Sequence, residues 1–168
     1  MSALKRVLLI SLCFLICVLF TSCESDALKT SDFKKVDFKK EQKVQLVTNN
    51  EVYNILVSIS EAGCFAMRFS EEAPKTLDDM KIKITNENCE IESTGIKYST
   101  SINNFSSDFF PRIIYAFFNE TDFENADFTL NEEENSCFLE KIVSGKKVIF
   151  TIQLSLDKTS QNYIIEIR

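Results

Sequence analysis

The stretch Ser106-Ser107-Asp108-Phe109-Phe110-Pro111-Arg112-Ile113-Ile114-Tyr115-Ala116-Phe117-Phe118 decides the fold class, because it interrupts a chain that otherwise alternates with period two. Phe110, Ile113, Ile114, Phe117 and Phe118 fall at i, i+3, i+4, i+7 and i+8, which is one stripe of an amphipathic helix. Ser107 or Asp108 is suited to cap it, and Pro111 is tolerated in a first turn, where its missing N–H has no intrahelical partner to lose. Such a stripe covers one face of a sheet, or it forms a mobile lid over an apolar cavity.

On both sides of this segment the pattern is that of strands. From Val44 the chain alternates, with Tyr53, Ile55, Val57 and Ile59 set against Asn54, Leu56, Ser58 and Ser60. Glu61-Ala62-Gly63 reads as a turn into Cys64–Phe69, a hairpin signal. Lys81–Thr85, Cys89–Glu92 and Ile96–Thr100 follow as short strands, with turns around Asn86 and at Thr94-Gly95. Beyond the helix, Phe128–Leu130, Cys137–Val143, Lys147–Leu154 and Tyr163–Ile167 read as strands, and Gly145 makes the second connection a tight hairpin. The expectation is an α+β, mainly β domain of about nine antiparallel strands with one principal helix. Short connections favour a meander over a crossover fold.

The N-terminus carries a different signal. Lys5 and Arg6 precede an apolar run of fourteen residues, Val7 to Phe20, and Thr21-Ser22-Cys23 closes it. This is the layout of a secretory signal. Leu19-Phe20-Thr21-Ser22-Cys23 resembles the lipobox of bacterial lipoproteins: an aliphatic residue, small residues, then the cysteine that is modified. The resemblance implies that residues 1–22 are removed and that Cys23 becomes the acylated N-terminus. The partner would then be a membrane, held from its extracytoplasmic face (the outer membrane, if the envelope has one). The run is short for a spanning helix, which needs about 20 apolar residues. An uncleaved anchor and plain secretion remain the alternatives. Residues 23–43 are polar and charged and suit a tether, although Phe33, Val36 and Phe38 could form a turn that docks on the domain, which is placed at 44–168.

Charge and composition remove whole classes of function. Lys5 and Arg6 leave with the leader and no acid does, so a net charge of −6 becomes −8. That argues against a nucleic-acid partner, which needs a basic footprint. The chain has no His, so neither a Ser-His-Asp triad nor a His-containing metal site can form. Cys64, Cys89 and Cys137 lack CxxC spacing, and no metal or cofactor is expected; they are free to be packing thiols, or to form a disulfide with one thiol over. The acids at Glu71-Glu72, Asp78-Asp79 and Glu132-Glu133-Glu134 read as solvated turns rather than a catalytic pair. The stretch from Asn119 to Asp127 is oxygen-rich but lacks the spacing of a calcium loop. No enzymatic activity is expected.

One large sheet, one helix past its midpoint and a lipoprotein leader resemble the LolA-like half-barrel. This superfamily of lipoprotein carriers and lipid-binding lipoproteins includes a group from endospore-forming bacteria, which this chain looks most like. The resemblance rests on Met67–Ile84, where a strand, Pro74 and Leu77 lead into a second strand, on the hairpin Glu92–Tyr98, and on the closing hairpin Phe150–Ile167. It implies a strongly curved sheet whose concave face is covered by the helix. It also implies a lipid or other apolar ligand held there against Phe110, Ile113, Ile114, Phe117 and Phe118. The alternative it implies is a tethered, non-catalytic partner or activator of a peptidoglycan-modifying enzyme of the cell envelope. An empty apolar cavity of several hundred Å³ would favour the ligand. A filled core with an open strand edge or exposed apolar patch would favour the partner.

Overall fold

The computed structural model describes residues 28–33, 36–60, 63–70, 77, 79–123 and 125–168. Ten strands form one curved, unclosed sheet. They are β1 (Gln42–Thr48), β2 (Glu51–Ile59), β3 (Phe65–Phe69), β4 (Lys81–Thr85), β5 (Asn88–Ser93), β6 (Ile96–Ser101), β7 (Thr129–Asn131), β8 (Ser136–Val143), β9 (Lys146–Leu154) and β10 (Gln161–Ile167). Their order across the sheet is β6-β5-β4-β3-β2-β1-β10-β9-β8-β7. The expected mainly β half-barrel with one principal helix is what forms.

Two details differ from the sequence reading. The alternating run from Val44 to Ser60 is two strands, because Asn49 and Asn50 adopt φ of 51° and 62° and fold it back on itself. Both central residues of such a two-residue turn must have positive φ, and Asn tolerates this better than most residues. The Thr94-Gly95 and Ser144-Gly145 hairpins use the same geometry, with the glycine at φ 79° in each. Secondly, the sheet is mixed rather than purely antiparallel. β1 pairs with β10 in parallel, Val44 beside Tyr163 and Leu46 beside Ile165. One meander, β1 to β6, runs outward from the middle of the sheet. The other, β7 to β10, runs inward from the far edge, so the first and last strands meet at the centre.

That topology leaves β6 and β7 at opposite edges, and the chain between them must cross the sheet. The crossing element is α1 (Phe110–Asn119), preceded by a 3-10 turn at Ile102–Asn104. The core lies between α1 and the concave face. Val44, Leu46, Ile55, Val57, Phe65, Met67, Ile84, Val148, Phe150 and Ile165 are buried on that face, at alternate positions of their strands. Leu28 and Phe38, ahead of β1, are buried too, and the Phe38 carbonyl accepts a hydrogen bond from the Ile59 N–H at 2.7 Å. Among the described residues, no helix is long and apolar enough to cross a membrane.

Candidate functional site

The five stripe residues share one face of α1. Ile113, Ile114, Phe117 and Phe118 are buried, while Phe110 is half-buried at the N-terminal end of the helix. They meet a floor of aromatic rings from distant strands and from the segments before β1 and after α1. Phe118 lies with its ring centroid 4.5 Å from Phe38, 6.4 Å from Phe65 and 6.1 Å from Phe150. Phe117 lies 6.2 Å from Phe150 and 6.0 Å from Phe123, and Phe110 meets Phe69 edge-on at 6.3 Å. Tyr163 completes the floor, stacked on Phe150 at 6.1 Å. Tilted and edge-to-face pairs at these separations are the favoured aromatic geometries. These rings pack between helix and sheet as one cluster of the core.

The helix is tied down by charge at both ends. Lys141 of β8 donates from Nζ to the Glu120 carbonyl at 2.7 Å and sits 3.4 Å from the Glu120 carboxylate, next to the negative end of the helix dipole. Near the start, Asp108 pairs with Lys146 at 3.2 Å. Arg112 donates from Nη1 to the Phe105 carbonyl at 3.2 Å. The capping expectation is corrected here. The N-cap is Phe109, without a side-chain cap, because Ser106 Oγ accepts from the Asp108 N–H and the Asp108 carboxylate turns to Lys146. Pro111 stands in the first turn as the sequence requires.

At the N-terminal end of α1 a cleft of about 440 Å³ opens between the helix, the β1–β2 turn and the end of β10. Phe110, Ile113 and Ile167 give it an apolar wall, and Asp108, Lys146, Glu166 and Arg168 ring it with charge. Half-buried Phe110 therefore reaches a solvent-open space, with buried Ile113 behind it. The four charged residues come from three separated segments, so no local spacing in the sequence marks them as a group. The floor residues Phe65, Phe150 and Tyr163 do carry a signal: each holds an inward position of its alternating strand.

The remaining candidates separate from this site. Cys23 and the leader lie outside the described residues, as do Glu71, Glu72, Asp78 and Glu124. Among the described residues, no set of three His, Cys, Asp or Glu is arranged to hold a metal. Cys64, Cys89 and Cys137 are free thiols. Burial pushes the Cys89 thiol up and the Cys137 thiol up to about 11. No protein-family model, curated protein or solved structure matches the chain.

Proposed function

We propose that this chain is an envelope lipoprotein, tethered through acylated Cys23, whose half-barrel is a non-catalytic docking module for another envelope protein. The observation that carries the docking role is the asymmetry of the two sheet edges. β7 is only three residues long and runs straight into Glu132-Glu133-Glu134. Short, charge-guarded edges resist pairing. β6 has six residues, pairs only with β5 among the described residues, and carries the single charge Lys97. Its Ile96 and Tyr98 are 74% and 56% exposed. An open edge with exposed apolar side chains suits the addition of an extended strand from a partner, where main-chain hydrogen bonds give affinity and alternate side chains give selectivity. The resemblance to lipoproteins of endospore formers makes an envelope enzyme the partner class.

The tether and the edge are tested together in cells. A photo-crosslinking residue at Tyr98 should trap one envelope protein, a residue at Thr129 should not, and Ile96→Asp should abolish the Tyr98 adduct. Equal trapping at both edges, or adducts with lipid alone, would overturn the docking role. Mass spectrometry showing an unmodified Cys23 or an intact leader would overturn the tether.

A second reading is favoured by the cleft at the head of α1: an apolar or amphipathic ligand that inserts along Phe110 and Ile113. It requires the helix to part from its aromatic floor. Lipid co-purifying at stoichiometric amounts, with slowed hydrogen exchange in 110–119, would favour it over the docking module.

A further inference from the structure

All four glutamines of the chain line one groove. Gln42, Gln45, Gln153 and Gln161 come from β1, β9 and β10, yet they converge with Asn54 and Asn162 around a cavity of about 470 Å³. The groove lies across the middle of the sheet, over β2, β1, β10 and β9, and reaches its convex face. The register explains the convergence. Gln45 stands directly opposite Asn54 on one side and beside Ile164 on the other, and Asn162 stands opposite Gln153. With strands about 4.8 Å apart, these four strands present a furrow about 14 Å across.

Gln45, Asn54, Gln153 and Asn162 alternate with the inward residues Val44, Ile55, Ile152 and Tyr163, so four carboxamides share the convex floor of the furrow, and Gln42 and Gln161 border it from inward positions. Four carboxamides on one floor are a chemical selection. Among the described residues Lys43 is the sole charged one of the lining, and Ile164 is the apolar side chain on the convex side, since Tyr163 turns inward onto Phe150. The next groove on the same convex face is the opposite case, lined by Arg68, Lys81, Lys83, Glu90 and Glu92 among others. Each carboxamide offers two donor hydrogens and an acceptor oxygen side by side. That matches a neighbouring pair of sugar hydroxyls, each of which donates and accepts. An anion would need more than one positive charge, and an acyl chain would need an apolar wall. A peptide cannot add here as a strand, because β1 and β10 each have a strand on both sides and their main-chain groups are already in the ladder. Gln42 Nε2 is spent on the Asp37 carbonyl at 2.8 Å, and Gln161 Nε2 donates to the Tyr163 hydroxyl at 3.3 Å, which fixes two of the amides at one end of the furrow. No side-chain hydrogen bond among the described residues engages Gln45, Gln153 or Asn162, so these three remain to meet a ligand.

We infer that this furrow binds a neutral oligosaccharide, independently of the strand edge and of the helix. The glutamine count provides the test. Selective ¹⁵N labelling of glutamine side chains in the full-length chain, held in detergent micelles, should give four amide pairs, those of Gln45 and Gln153 on the furrow floor and those of Gln42 and Gln161 at its border. Titration with cellotetraose and with a β-1,4-linked N-acetylglucosamine tetramer should move these signals in a saturable way below about 1 mM, a weak but specific affinity. Gln153→Ala and Asn162→Ala should each weaken binding about tenfold or more with far-UV circular dichroism unchanged. Lys83→Ala, in the neighbouring groove, should leave it unchanged. Four glutamine signals that stay still to about 10 mM of both saccharides would overturn the proposal. So would saccharide binding that ignores both groove substitutions, or signals that respond to an extended peptide and to neither sugar.

Discussion

At the scale of single residues, Phe117 and Cys137 show how completely the space under the helix is used. Phe117 touches Phe118, Phe123 and Phe150 and has no exposed surface. Phe117→Ala removes a ring from the centre of the aromatic cluster. It should lower stability by about 3–5 kcal/mol, since the cavity left behind adds to the lost transfer energy. Urea unfolding of the two proteins measures this, and a loss below about 1 kcal/mol would mean that the helix is loosely seated. Cys137 reports on burial from the other side. Its thiol is held neutral, with a pKa of about 11, whereas an unfolded chain would ionise it near the ordinary thiol value. The unfolded state therefore sheds its proton first as pH rises. The stability this contributes is complete below about pH 8 and is lost between the ordinary thiol range and about pH 11. Cys137→Ala should flatten that alkaline decline. At pH 8 an alkylating reagent should reach half-buried Cys64 well before Cys89 or Cys137, and equal labelling of all three would contradict the packing.

At the scale of elements, the sequence shows most strands through their period-two alternation, and it shows the helix through its five-residue stripe. The β1–β2 hairpin is harder to read because its turn holds no glycine. Asn49-Asn50 sits in the short polar stretch Thr48–Glu51 with neither glycine nor proline to mark it, and the positive φ of both residues makes it a corner. The helix cap is hidden for a related reason. Ser107 and Asp108 are good capping types, but the pull of Lys146 on Asp108 is a tertiary effect with no local signature. The turn yields a prediction at this scale. Asn50→Val places a β-branched residue at φ 62°, where steric strain is about 1–2 kcal/mol. Stability should fall by about that amount, while Asn50→Gly should leave it level or slightly raised. Loss of stability in the glycine variant, measured by the same unfolding experiment, would show that the Asn side chain is itself required.

At the scale of the whole molecule, the seam between β1 and β10 sets both the stability and what could be read in advance. Val44 and Tyr163 lie side by side across it although nearly the whole domain separates them in sequence, and no local pattern encodes such a pairing. The carboxamide furrow is invisible in the sequence for the same reason, since Gln45 and Gln153 come to line one groove, with β10 between them, only once the seam has formed. The seam also joins the two meanders into one cooperative unit, since β10 stands between β1 and β9 and carries the fully buried Ile165. Non-local pairing of this kind delays folding, because the closure entropy is lost before the contacts form. Ending the chain at Ser160 would remove β10 from the middle of the sheet and expose two strand edges at its centre. The truncated protein should lose its sigmoidal urea transition altogether, whereas replacing Thr129–Asn131 with Gly and Ser, at an outer edge, should only shift the midpoint. A truncated chain that still unfolds in one sharp transition with the full-length denaturant slope, which scales with the surface exposed, would mean that the two meanders fold without the seam.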